Sequence, residues 1–191
     1  MDIVLYVVLG VIALLVIMTI VIYNRLVGLR MNRQNSFADI DVQLKLRYDL
    51  VPNLVNTVKG YAKHESEVFT QVTEARARIP RGGAGGNLRD RIEGEQMLSQ
   101  AMLNLFAVAE NYPELKADKN FQQLQAELSD IENKIAAARR YFNSATKEYN
   151  VSIQQFPAVM IAGMFGFREA TFFEIATENR EKVETAPNVE F

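Results

Sequence analysis

His64 is the only histidine in a chain of 191 residues that has no cysteine, so it is the first side chain to weigh for acid–base or metal chemistry. A di-iron or dimanganese carboxylate bundle requires two Glu-x-x-His pairs facing inward. Position 61, three before His64, is a tyrosine, so neither pair exists. His64 lies among Lys63, Glu65 and Glu67, away from the apolar stripe, and reads as solvated. Without cysteine there are no disulfides, thiolate nucleophiles or Cys-based zinc and iron–sulfur sites, and the redox compartment leaves no mark. The glycine run "GGAGG" could cradle a phosphate, but no Gly-Lys-Ser/Thr follows it and no strand precedes it, so it reads as a linker. Around it stand Arg76, Arg78, Arg81, Arg89 and Arg91, diluted by Glu74, Asp90 and Glu93 and lacking the aromatics that single-stranded nucleic acid stacks on. They are expected to form a solvated basic tip, with an acidic partner or anionic lipid as the sharper alternative. No catalytic residue, cofactor or metal is expected, nor nucleic acid as a partner, and a net charge of -2 by itself excludes only a strongly basic nucleic-acid binder.

The elements that must carry these residues begin with an apolar run. Ile3 to Tyr23, "IVLYVVLGVIALLVIMTIVIY", is uncharged and, at about 1.5 Å per helical residue, reaches across roughly 30 Å of hydrocarbon. Its flanks lack the basic start and small-residue exit of a cleaved signal, so it reads as a retained transmembrane anchor. Arg25, Arg30 and Arg33 crowd its C-terminal side. That bias predicts a single pass in a bacterial cytoplasmic (inner) membrane, with residues 1–2 as an outside stub and the remaining chain cytoplasmic.

Beyond the anchor, Phe37, Ile40, Leu44, Val51, Leu54, Val58 and Tyr61 recur with 3-4 spacing, and only Arg47 is out of place. The pattern keeps its phase through Pro52 and continues in Val68, Val72 and Ala75, so one kinked helix is expected to run to about residue 79. A second helix, with Asn87 as N-cap, is expected to run to Asn111; Leu98, Met102, Leu105 and Val108 give it a second apolar face. "NYPELKADKN" reads as a turn with Asp118 or Asn120 capping the third helix, whose apolar positions run from Phe121 to Tyr149. The fold class is therefore all-α: an N-terminal transmembrane helix, then an elongated antiparallel helical bundle over 24–155 made of three long helices and a short C-terminal helical segment. Residues 156–178 are expected at the distal end as an apolar segment with a short helix, and 179–191 as an acidic tail.

Two surfaces are candidate interfaces. Pro52, Asn56 and Gly60 share an outward ridge at i+4 spacing, where a small residue permits close approach of a neighbouring subunit. The stretch "FPAVMIAGMFGF" is too short to span a bilayer, and it is expected either to cap the core or to offer Met160, Ile161, Met164 and Phe165 to a partner, another protomer or a second membrane.

The blocks "DIDVQLKLRYDLVPNLVNTVKGYAKHE", "NYPELKADKNFQQLQAELSDIENKIAAARRYFNSATKEYN", "FPAVMIAGMFGF" and "PNVEF", following an N-terminal anchor, give the chain a resemblance to the LemA family over nearly its whole length. That resemblance implies an all-helical domain tethered to a bacterial membrane by one helix, and it supplies no catalytic residue, cofactor or activity. It rests on residues such as Arg47, Tyr48, Asp49, Pro52, Arg139 and Arg140, and Arg47 and Asp49 are expected to pair with Arg139 or Arg140 across helices. The functional expectation is a non-catalytic, membrane-anchored scaffold that self-associates and organises membrane or partner proteins. The partners expected are the lipid bilayer, further copies of the chain as a homo-oligomer, and unidentified proteins. The competing readings are an adaptor or regulator of a membrane protease or signalling kinase, and an enzyme whose site forms between subunits.

Overall fold

The computed structural model describes residues 2–79 and 88–173, with the side chains of Leu88 and Arg89 excepted. The glycine run, Arg81, the Asn87 cap and the tail at 179–191 lie outside the described residues. Regular structure among the described residues is helical throughout: α1 (Asp2–Tyr61), α2 (Ser66–Arg78), α3 (Leu88–Ala109), α4 (Pro113–Ala117), α5 (Lys119–Gln154) and α6 (Ala158–Phe165). The chain divides into two compact units, one of residues 2–41 with Ile135–Phe172 and the other of Val42–Lys134 with Phe173.

In the second unit, four helical segments run antiparallel around one apolar core. The α1 heptad residues Val51, Leu54 and Val58 are buried with Phe69 and Val72 of α2, Leu98, Met102 and Leu105 of α3, and Phe121 and Leu128 of α5. As the position on α1 rises from 47 to 61, its polar partner on α5 falls from 132 to 118, which fixes the antiparallel sense. The expectation of one helix to residue 79 is corrected here. Helix α1 stops at Tyr61, residues 62–65 turn the chain, and α2 folds back until Arg76 lies beside Tyr48. Gly60, exposed in the last turn, and the polar run Lys63–His64–Glu65 loosen the helix there. Continuity through Pro52, by contrast, holds. The expected turn at 111–120 contains the single-turn helix α4, which buries Leu115, and Asp118 then caps α5 by accepting the Phe121 N–H at 2.9 Å.

In the first unit, α1 and α5 are again antiparallel: Arg33 meets Thr146 and Phe37 meets Phe142. Leu26, Tyr149 and Ile153 form a small core that α6 and Phe167 complete, with Ile22 packed against it. Helix α6 ends at Gly166, whose φ of 73° is left-handed, and the Phe167 N–H then bonds the Ala162 carbonyl at 2.9 Å. Residues 168–170 are tied back onto α5. The Tyr149 hydroxyl donates to the Arg168 carbonyl at 3.0 Å, and Asn150 both donates to and accepts from the Ala170 backbone at 2.8 Å each.

The apolar segment 156–167 therefore packs beside Ile22, Tyr23 and Leu26, next to the apolar run of α1, and the expectation that it lies at the end remote from that run is overturned. The reason is parity. One extra reversal at 62–65 makes α5 antiparallel to α1 instead of parallel with it, so the chain after α5 emerges beside residues 22–26.

Candidate functional site

The polar residue that interrupts the α1 heptad defines the first site. Arg47 occupies a stripe position and its side chain is only 1% exposed, so its guanidinium must find partners inside the bundle. Nη2 bonds the Glu95 carboxylate, whose side chain is 2% exposed, and Nη1 donates to Glu132 Oε1 at 2.6 Å and to Ser99 Oγ at 3.1 Å. Ser99 Oγ in turn donates to the Glu95 carbonyl at 2.9 Å, so both α3 residues are held in one network. Glu132 is half-exposed and connects the cluster to solvent. Burial alone would push the Arg47 pKa down, but the charges of Glu95 and Glu132 and their hydrogen bonds outweigh it, and the pKa lies above its ordinary value. The cation is locked in its charged form, and it joins α1, α3 and α5 at a single level.

One turn further along α1, Pro52 has no N–H to offer the carbonyl of Tyr48, which an uninterrupted helix would bond from position 52. Arg76 of α2 fills that vacancy: its Nε donates to the Tyr48 carbonyl at 3.2 Å while its guanidinium lies 3.7 Å from the centre of the Tyr48 ring. A proline that would otherwise orphan a backbone acceptor thereby becomes a docking point for α2. At the end of α1, the Tyr61 hydroxyl donates to Asp118 Oδ2 at 3.0 Å. The Phe121 N–H first and the Tyr61 hydroxyl second hold the Asp118 pKa below its ordinary value, and the bond to Asp118 raises that of Tyr61.

These contacts correct the sequence-based pairing. Arg47 pairs with Glu95 and Glu132, not with Arg139 or Arg140, and Asp49 bonds Lys45 one turn back at 2.9 Å on the exposed side. The partners were hinted at in the pattern. Glu95 falls between Ile92 and Ser99 at stripe spacing on α3, so two opposite charges occupied apolar positions of different helices. The five arginines expected at a basic tip are not alike: Arg76 packs on Tyr48, Arg78 is exposed beside Met97, Arg91 is half-buried, and Arg81 and the Arg89 side chain lie outside the described residues. His64 is exposed in the 62–65 turn. Among the described residues, no group of three or more His, Cys, Asp or Glu side chains is placed to share a metal ion.

The candidate interface residues separate into two sets. Asn56 and Gly60 are exposed on the outward ridge with Pro52 half-buried beside them, and a Cβ added at Gly60 would meet nothing within 4 Å. On α6, Met160, Met164 and Phe165 are exposed while Ile161 is buried, so this helix caps the small core with one side and presents an apolar surface with the other. Helix α1 has its own uncovered apolar surface, an N-terminal stretch long and apolar enough to cross a membrane, whose most apolar window has no residue buried by the other described residues.

An all-helical protein is thus defined, with an N-terminal helix apolar enough to span a bilayer and antiparallel helices pinned by a buried arginine. A family model described as the LemA family matches residues 36–191, and the chain belongs to that family. It is 25% identical over 174 residues to the magnetosome protein MamQ of Magnetospirillum gryphiswaldense, covering 79% of this chain and 64% of the relative. Magnetosome protein MamQ 2 of Paramagnetospirillum magneticum is similar at 25% identity over 175 residues, with 80% and 64% covered. Protein LemA of Metamycoplasma hominis is 24% identical over 153 residues, with 80% and 69% covered. The chain thus spans just under two thirds of the length of the two magnetosome relatives.

Proposed function

We propose that the chain is a membrane-tethered helical scaffold that self-associates and organises proteins at the membrane surface. The observation that carries this reading is the uncovered apolar stretch of α1, which is one end of the same unbroken 60-residue helix that contributes Val51, Leu54 and Val58 to the bundle core. A chain that carries a membrane-spanning stretch and a helical core on one element ties that core to the bilayer, which suits an organiser. The cations at Arg25, Arg30 and Arg33 favour a cytoplasmic bundle in an inner membrane. Similarity to proteins named for the magnetosome supports a role at a membrane.

Self-association is assigned to the outward ridge of α1, where Val42, Leu46, Asn53, Asn56 and Gly60 are all exposed. Gly60→Leu tests it, because Gly60 is exposed and a Cβ added there meets nothing within 4 Å. The full chain in detergent should be oligomeric by light scattering coupled to size exclusion. Gly60→Leu should reduce its mass toward the monomer without loss of helical circular dichroism. A monomeric parent chain, or an oligomer indifferent to the substitution, overturns the assignment.

A further inference from the structure

Residues 156–167 are twelve consecutive positions without a charged or hydrogen-bonding side chain, yet the segment is not enclosed. Met160 and Met164 recur at i+4 spacing along one side of α6 and are 64% and 79% exposed, with Phe165 at 53% and Phe156, in the turn before the helix, at 81%. The opposite side, Ile161, Ala162 and Phe167, is already used against α1 and α5. Three large apolar side chains on one short helix, with Phe156 just before it, are a surface that water does not favour and that isolated apolar exposure does not explain. At eight residues, α6 is far too short to cross a bilayer.

What covers this surface follows from where it sits. The Phe165 ring is 4.8 Å and the Phe167 ring 5.7 Å from the ring of Tyr23, the last residue of the uncharged stretch of α1. The exposed face of α6 is therefore continuous with the apolar surface of the span, and the three rings form an aromatic cluster of the kind found where hydrocarbon gives way to headgroups. The polar groups that come next are mainly cationic. Arg25 of α1 and Lys147 of α5 line one shallow groove together with Ser152 and a single acid, Glu148, and the Arg30 guanidinium lies 5.9 Å from the centre of the Phe167 ring. Apolar side chains, then aromatic rings, then cations is the order that the acyl, interfacial and phosphate layers of one leaflet demand.

We infer that α6 is an interfacial membrane element: Met160, Met164 and Phe165, with Phe156 just before the helix, enter the headgroup–acyl boundary of the leaflet that α1 leaves, with Arg25 and Lys147 facing lipid phosphates. This rests on the anchoring of α1 and adds to it a second, non-spanning membrane contact made by a part of the chain more than 130 residues away in sequence. The bilayer, and not a second copy, is the occupant because any protein anchored by α1 carries this face to the lipid.

The chain has no cysteine, so single cysteines introduced for spin labels report one position each. Met160→Cys and Met164→Cys are to be labelled in the full chain, reconstituted into phosphatidylcholine–phosphatidylglycerol vesicles, beside Ile12→Cys in the span and Leu103→Cys, which is 62% exposed on α3. Oxygen partitions into the bilayer and chelated nickel stays in water. At Met160, Met164 and Ile12 oxygen should relax the label more than nickel does, with the order reversed at Leu103. Aqueous behaviour at Met160 and Met164 with Ile12 in the bilayer overturns the α6 assignment alone. Aqueous behaviour at Ile12 overturns the anchor and the α6 assignment with it. Shielding of Met160 and Met164 from both reagents means that protein covers the face, and this too overturns the assignment.

Discussion

The Tyr48–Pro52–Arg76 contact makes a quantitative claim: an arginine on α2 replaces the backbone bond that a proline removes from α1. Arg76→Met removes a charge-assisted hydrogen bond, a class whose net contribution is about 1.5–3 kcal/mol. It also removes a guanidinium–ring contact that contributes about 0.5–1 kcal/mol when partly exposed. Arg76 is half-buried and its 3.2 Å bond is not short, which places the sum near the lower end, about 2 kcal/mol. For a chain of this size that corresponds to a fall in Tm of roughly 4–8 °C. Pro52→Ala supplies an N–H to the Tyr48 carbonyl, and in that background Arg76→Met should lose only the ring contact, about 0.5–1 kcal/mol. The two substitutions should therefore be coupled by roughly 1 kcal/mol in a double-mutant cycle. The cycle is to be measured by urea unfolding in detergent, followed by helical circular dichroism. Additivity within about 0.3–0.5 kcal/mol, the usual scatter for independent sites, would refute the reasoning.

Arg47→Met leaves the Glu95 carboxylate buried without its cation and should destabilise the chain by about 3–5 kcal/mol, whereas Arg47→Met with Glu95→Leu should recover most of that loss in the same unfolding assay. Asn150→Ala strands the Ala170 N–H and carbonyl, and a loss of about 1–3 kcal/mol is expected, with earlier proteolytic cutting near residues 168–172. Asp118 has a lowered pKa in the folded chain, so its stabilising contribution is present above its unfolded pKa and is lost as pH falls through the folded one. Tyr61, with a raised pKa, contributes in its neutral form, and that contribution is lost as pH rises through the folded pKa. The Tm difference between the parent chain and Asp118→Ala should therefore shrink at both acidic and strongly alkaline pH, and a difference independent of pH would count against the Tyr61–Asp118 contact.

Periodicity in the sequence reveals which faces are apolar but not which way the chain runs. The α1, α3 and α5 stripes were legible for that reason, as was the harmlessness of Pro52 on an outward ridge. The reversal at 62–65 was not, because Ala62, Phe69, Val72 and Ala75 continue the spacing across it and are buried on the same core. A glycine followed by a polar run was the local signal, and a stripe unbroken in phase masked it. Missing one reversal inverted the position of every later element, which is how α6 came to be expected at the wrong end. For the polar core, Arg47 could be marked as anomalous from α1 alone. Its partners lie 48 and 85 residues away, and only an opposite charge at stripe spacing on α3 pointed to one of them.

The α1–α5 pairing has a consequence for how such a chain can change. Between Leu26 and Phe37, each step forward on α1 is matched by a step back on α5, through Ile153 and Tyr149 to Thr146 and Phe142. A single codon gained or lost within Phe142–Ile153 would turn everything beyond it by about 100° and swing Asn150 away from Ala170. Length along this helix pair is quantised: drift should be tolerated as substitution, or as paired gains and losses of whole heptads, and rejected as lone insertions.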